Sequence, residues 1–357
     1  MRLLVVASEV PPTRSGVARS VERIIDGARS AGHNVETRSY ADARTWIRHG
    51  MRLSSLGVRL GRDELESHDL IHLHGPAPSV SDVVLLRHAL RPLRVPMVYT
   101  HHFTIANHAT LTRAHQLYDR MARALAGAAD SIIVTTPTYR SLVESGLTKR
   151  SVGTAIDVIP WGHDPVPQPV EPRSADPERD LTVLVLGQMR PYKGHGLAVE
   201  ALADLPGIRL TLAGGGPLEV ELAAKANRHA NLEVVLNPGD GRVDALYRSS
   251  DVVLLPARSS VEAFGIVLVE GMARGCVPVV ASLPGLGDVV GDVGVSFAVN
   301  DPNSLRSTIL SLADNRDDLA LRSKQAIDRS GKFHWTETVT SHLDLYERTV
   351  STHRWSR

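Results

Sequence analysis

The sequence predicts an α/β protein built as two parallel-sheet domains. Three observations carry that expectation. Short apolar runs of strand length recur along the chain, each ahead of a polar or Gly/Pro break and a helical stretch. The series is interrupted from Pro160 to Pro177, where PWGHDPVPQPVEPRSADP carries six prolines and reads as a linker. A second series of the same kind follows it. At 357 residues the chain is long enough for two domains of ordinary size.

Taken in order, the first half opens with RLLVVAS as a strand, then a Pro-Gly loop, then a helical stretch from about Gly16 to Ala31. DLIHLH, VPMVYT and SIIVTT supply its further strands. In the second half the strands are LTVLVLG, IRLTLAG, LEVVLN, DVVLLP and CVPVVAS. Near the end, WTETVTSHLDLYERTV reads as a last helix. No low-complexity tract or short-period repeat interrupts this pattern.

Composition narrows the function classes. Apolar residues make up 43% and charged residues 22%, as in an ordinary soluble globular protein. Net charge is +1, so no global field draws in nucleic acid, and no nucleic-acid partner is expected. The single cysteine, Cys276, cannot form an internal disulfide, which fits a reducing compartment. The start, MRLLVVASE, has too short an apolar stretch for a secretory signal, and no apolar run approaches the ~20 residues of a spanning helix. The expected location is the cytoplasm.

The chemistry is concentrated in VEAFGIVLVEGMARGCVP, from Val261 to Pro278. Glu270 lies in an apolar run, IVLVEGMA, that should pack as a buried helix. A carboxylate there costs several kcal/mol unless something pairs with it. Glu262 lies eight positions upstream, ahead of Phe264 and Gly265. Two acids flanking a helix start, which itself favours anions, suit a ligand that is part sugar and part phosphate.

E-A-F-G-I-V-L-V-E resembles the E-x7-E signature of retaining family 4 glycosyltransferases, which have the GT-B fold. The resemblance covers most of the chain and is strongest over residues 183–282. It implies two Rossmann-like domains with parallel sheets facing across a cleft. The implied layout is an acceptor-binding domain over residues 1–165, a Pro-rich linker over 166–180 and a nucleotide-sugar-binding domain over 181–335. The helix at 336–357 then crosses back to the first domain. By the same resemblance Glu262, with Ala263, Phe264 and Gly265, contacts the donor sugar, and Glu270 holds the ribose hydroxyls.

The remaining motifs fall after predicted strands, where open parallel sheets bind ligands. PPTRSG ends at Gly16, whose missing side chain would let a phosphate approach the backbone. It resembles the family's Gly-rich N-terminal loop, with Ser15-Gly16 in place of Gly-Gly. The dinucleotide fingerprint G-x-G-x-x-G is absent. VYTHHFT brings His101 and His102 to a strand end, and the family's His near the reacting sugar corresponds to His102. His72 and His74 share one face of a strand end, but no third ligand with metal-site spacing accompanies them.

LGQMRPYKGHG, residues 186–196, places Arg190 and Lys193 where a leaving diphosphate would need cations. The family commonly reads G-R-x-x-x-x-K-G, and here Gln188 takes the Arg slot. LAGGGPLEVEL offers Gly214, Gly215 and Gly216, similar to the family's G-x-G-P element near the nucleotide. No D-x-D follows a predicted strand, so metal-independent transfer is expected, with no metal ligands and no cofactor, the nucleotide-sugar being a substrate.

The implied activity is retaining transfer of a hexosyl or N-acetylhexosaminyl group from a UDP- or GDP-sugar to a hydroxyl. Acceptors in such a family are lipids, saccharides or aminocyclitol-type small molecules. The alternatives are a nucleotide-sugar epimerase of the same fold and a non-catalytic sugar-nucleotide-binding protein. Finally, residues 43–62, ARTWIRHGMRLSSLGVRLGR, interleave Arg44, Arg48, Arg52, Arg59 and Arg62 with Trp46, Ile47, Leu53, Leu56 and Leu60. Such a stretch is either an ordinary surface helix or a peripheral contact with the inner face of an anionic membrane.

Overall fold

In a computed structural model, the described residues are 1–11, 13, 15–48, 51–104, 113–147 and 154–353. They form two units. One takes in the chain up to Trp161 and again from Trp335; the other spans Gly162–His334.

The first unit begins with β1 (Arg2–Val6), α1 (Gly16–Ser30) and β2 (Asn34–Arg38). Next come β3 (Thr45–Arg48), β4 (Met51–Ser54), α2 (Leu56–Arg59) and α3 (Arg62–Glu66). The series continues with β5 (Leu70–Gly75), α4 (Ser81–Leu90), β6 (Met97–His101) and α5 (Arg113–Ala126). It closes with β7 (Ser131–Val134), α6 (Pro137–Glu144) and β8 (Ala155–Val158). The sheet is parallel, ordered β2-β1-β5-β6-β7-β8. β5, β6 and β7 are buried along their whole length, as strands covered on both faces must be.

The strand order reverses between β1 and β5, which makes the carboxyl ends of those strands the natural ligand position. Helix α1 starts there because the Ser15 hydroxyl accepts from the Ala18 N–H. Ala18, Val21, Ile24, Ile25 and Ala28 form its buried stripe. In the loop ahead of it, Pro12 and Arg14 lie outside the described residues.

Residues 43–62 are not one amphipathic helix. β3 and β4 pair antiparallel, Trp46 opposite Leu53, and a short helix follows. The Thr-Trp-Ile run explains this: branched and aromatic side chains lose rotamer freedom in a helix and pack well on a pleat. His49 and Gly50, with the side chains of Arg48, Met51 and Arg52, lie outside what is described.

The second unit runs β9 (Leu181–Leu186), α7 (His195–Leu202), β10 (Ile208–Gly214), α8 (Glu219–Ala226) and β11 (Leu232–Leu236). Then come α9 (Asp240–Ser249), β12 (Val252–Leu255), α10 (Ile266–Met272), β13 (Val277–Ala281) and α11 (Leu286–Val290). It ends with β14 (Val295–Phe297), α12 (Pro302–Asp314) and α13 (Arg316–Ser330). Its parallel sheet is ordered β11-β10-β9-β12-β13-β14, reversing between β9 and β12. The proline-rich stretch is fastened to this unit. Arg173 donates to the carbonyls of Arg248, Tyr247 and Arg274 at 2.9, 2.9 and 2.5 Å.

The last helix, α14 (Trp335–Thr352), belongs to the first unit. A Cβ on Gly27 of α1 would lie 2.2 Å from Val339 Cγ1, so the glycine permits the close approach of these two helices. Thr349 and Ser131 join their hydroxyls at 2.9 Å, fixing α14 to β7.

Candidate active site

Three loops at the carboxyl ends of β9, β10 and β12 are stitched together by backbone hydrogen bonds. Met189 N–H donates to Gly215 O at 2.8 Å, and Leu218 N–H to Met189 O at 3.1 Å. Arg258 N–H donates to Tyr192 O at 2.8 Å. Gly194 ends the turn Pro191–Lys193 at φ +78°, and a Cβ there would sit 1.8 Å from Pro256 O. Only glycine lets the β9 loop lie against the β12 loop so closely.

That closeness brings Lys193 Nζ onto Glu262 Oε2 as an ion pair with both side chains largely buried. Burial works against the ammonium, but the Glu262 carboxylate and Tyr192 together outweigh it and hold the lysine pKa above its ordinary value. Arg190 is exposed, and its Nε donates to Gln188 Oε1 at 2.8 Å. Gln188, the residue that departs from the usual family pattern, thus orients the arginine that follows it. Arg190 is near enough for its charge to oppose that of Lys193, so the two cations share one region.

Past Glu262, Ala263 and Phe264 are buried, Phe264 edge-on to Phe333 at 6.0 Å. Their side chains anchor the turn. Gly265 adopts φ +71° and opens α10, a helix of seven residues. Glu270 on α10 is only 7% exposed. Tyr247, at the end of α9, donates its hydroxyl to Glu270 Oε2 at 2.9 Å. Burial, and then the Glu270 charge, push the Tyr247 pKa well above its ordinary value, so it stays a donor. Gly215 packs against Asn237, and Gly216 N–H donates to Glu219 Oε1 at 2.6 Å. His195, next to Gly194, is buried with neither ring nitrogen partnered among the described residues.

The first unit contributes a separate cluster. His102 follows β6, and its backbone N–H donates to Gly75 O at 2.7 Å, tying the ends of β5 and β6. Its Nε2 lies 2.9 Å from His74 Nδ1, and its ring stacks on Trp161 at 5.6 Å. Trp161 in turn stacks on His342 of α14 at 5.8 Å. Burial, and then His342, pull the His102 pKa down to about 3. It is therefore neutral in working conditions.

The tautomers follow from satisfaction. His74 Nε2 is buried without a partner among the described residues. An orphaned acceptor there costs less than an orphaned N–H. So the His74 proton is assigned to Nδ1, donated to His102 Nε2, and His102 carries its own proton on Nδ1. His72 is spoken for by Tyr346 and Thr100, each at 2.7 Å. Among the described residues no group of three or more His, Cys, Asp or Glu could hold a metal ion. Gly16 opens α1 beside the Ser15 cap.

The structure thus joins Glu262 with Lys193 and sets Glu270, Arg190 and Gly215 on loops and helices of the same unit. It places His102 and Gly16 in the other. Sequence reasoning missed Tyr247, Trp161 and His342. A buried acid should have prompted a search for a nearby donor such as Tyr247; the two aromatic partners leave no local signal.

The fold is GT-B. Sucrose-phosphate synthase from Thermosynechococcus elongatus superposes with a TM-score of 0.74 at 18% identity, covering 99% of this chain and 100% of that one. Anabaena HepE, solved in complex with UDP-glucose, gives 0.72 at 17% identity, covering 98% and 100%. The family model described as Glycosyltransferase Family 4 matches residues 14–166, and that described as Glycosyl transferases group 1 matches 169–329. The chain belongs to glycosyltransferase family 4. It is 31% identical to D-inositol 3-phosphate glycosyltransferase of Mycolicibacterium smegmatis over 50% of this chain and 42% of that protein. It is 26% identical to glycogen synthase of Mycobacterium tuberculosis over 97% and 94%. The chain thus spans less than half the length of the first relative and nearly all of the second. No helix among the described residues is long and apolar enough to cross a membrane.

Proposed function

We propose that this chain moves a hexosyl or N-acetylhexosaminyl group from a UDP- or GDP-sugar to a hydroxyl acceptor, with retention and without a bound metal. One observation carries the reading: the Lys193–Glu262 pair and the Tyr247–Glu270 pair stand on the carboxyl-end loops and helix of one sheet. The solved complex of HepE with UDP-glucose supports a nucleotide-sugar donor. The two named relatives support an acceptor among saccharides and cyclitol-type small molecules. The nucleotide-sugar donor and the single buried Cys276 support a cytoplasmic setting.

In this reading Glu270, held by Tyr247, accepts from the ribose hydroxyls. Glu262 accepts from hydroxyls of the sugar, exchanging part of its hold on Lys193. Lys193 and Arg190 then face the diphosphate, where negative charge grows as the bond from the anomeric carbon to the leaving oxygen breaks. The acceptor oxygen bonds to the anomeric carbon on the same face, and its proton passes to the departing diphosphate. His102 is neutral, so its part is a hydrogen bond from Nδ1–H to the sugar, not proton transfer. Gly16 lets a phosphate or acceptor approach the start of α1.

The test is incubation with UDP-, GDP- and TDP-sugars and an acceptor panel in EDTA, with the product anomer read by NMR. Transfer with the donor's anomeric configuration kept is expected. An inverted product, a sugar epimerised with no acceptor, or full dependence on added divalent metal would each overturn the proposal.

A further inference from the structure

We propose that one face of the first unit, formed by β3–β4, α2, α4 and α5, seats on an anionic lipid surface. Single exposed apolar side chains are ordinary, but these are grouped. On the β3–β4 pair, Trp46 and Ile47 are 45% and 77% exposed, and on α2 Val58 is 70% exposed. On α4, Leu86 and Leu90 stand one turn apart, and on α5 Leu117 and Met121 do the same. Most of the large apolar side chains exposed among the described residues lie on these four elements.

The elements are joined in series by hydrogen bonds. Ser55 N–H donates to Arg44 O at 3.0 Å, joining α2 to the start of the hairpin. From α4, Arg87 Nη1 donates to Gly57 O and Leu60 O at 3.1 and 2.6 Å, clasping α2. From α5, the Tyr118 hydroxyl donates to Asp82 Oδ2 of α4 at 2.5 Å.

The charge on this face selects the occupant. Residues 43–62 hold five arginines and no acid in sequence, and of these Arg62 is already paired with Glu66 at 2.6 Å. Arg44, Arg59, Arg91 and Arg120 are exposed around the apolar tips. The acids of α4 and α5 are withdrawn: Asp82 is buried beneath Tyr118, and Asp119 is buried against Arg123. Asp42, just ahead of β3, and Asp63 of α3 are the exposed acids nearby, and the exposed arginines outnumber them. Apolar tips ringed by arginine match the interfacial layer of an anionic bilayer. A second copy would bring like charges together, so self-association is disfavoured on the same face.

The experiment is co-sedimentation of the full chain with vesicles of phosphatidylglycerol mixed with phosphatidylcholine, and with phosphatidylcholine alone, at low and high salt. Binding to the anionic vesicles is expected, weakened by salt and by omission of phosphatidylglycerol. Arg59→Glu with Arg91→Glu should weaken it about tenfold or more. Ile47→Ser with Leu90→Ser should weaken it severalfold at every salt concentration, with melting temperature unchanged in both variants. Failure to bind anionic vesicles, or equal binding by both variants, overturns the proposal. So would a native dimer on gel filtration that Ile47→Ser with Leu90→Ser converts to monomer.

Discussion

A carboxylate at position 270 is tolerable only because something donates to it, and Tyr247 is that donor. Glu270 was legible in the sequence as an acid in an apolar run. Tyr247 was not, because the two residues sit on successive helices 23 positions apart. The Lys193–Glu262 pair was hidden for a related reason: each residue was legible at its own loop, but their pairing depends on β9 and β12 being neighbours. If Tyr247 fixes the carboxylate for the ribose, Tyr247→Phe should lower nucleoside diphosphate affinity by about tenfold or more, the scale of one hydrogen bond to a charged group. The 2′-deoxy form should lose much less, and calorimetry on both nucleotides checks this. Equal losses would show that Tyr247 acts on the fold alone. At His102 the pKa lies at about 3, below its ordinary value of 6.5. A pH profile of kcat/KM between about 5 and 8 should therefore show no inflection that His102→Gln removes.

At the scale of elements, the buried central strands were legible because covered parallel strands read as continuous apolar runs. Of the edge strands, β11 was legible and the others were not. β2 buries one residue of NVETR, and β14 is three residues long, so neither carries a periodic signal. Residues 45–54 misled in the other direction. Their mixture of arginines and apolar residues suits either a helix or a hairpin, and the Thr-Trp-Ile run decides for the hairpin. The β9 loop gives a sharp test of how the site is held. Gly194 is at φ +78°, and a methyl group on it would meet a carbonyl oxygen at 1.8 Å, whereas one on Gly196, two residues on within α7, would meet nothing within 4 Å. Gly194→Ala should cost at least about 2 kcal/mol and weaken donor binding, while Gly196→Ala should gain up to about 1 kcal/mol. Urea unfolding of both variants measures the difference, and similar midpoints would contradict the account.

Across the whole molecule, two six-stranded sheets with a last helix returned to the first unit account for the buried histidines. His101 and His102 are held at a pKa of about 3, and His195 and His342 at about 4, all chiefly by burial. Each stays neutral in the folded chain while its unfolded counterpart takes up a proton below about 6.5. Their contribution is thus fully present above that value and is lost as pH falls toward the folded pKa. From about pH 7.5 to about pH 5.5 each should cost about 1 kcal/mol of stability, a loss that denaturant titrations at the two pH values would reveal. Equal stability at both would mean that these rings are not neutral in the fold. The central claim is that the second unit grips a nucleoside diphosphate through Glu270 and Lys193. Calorimetry of UDP and GDP in EDTA, with the native chain and with Glu270→Ala, tests it most directly. The account predicts that at least one nucleotide binds without metal and that the variant binds it about tenfold or more weakly. Unchanged affinity in a folded Glu270→Ala variant would contradict it.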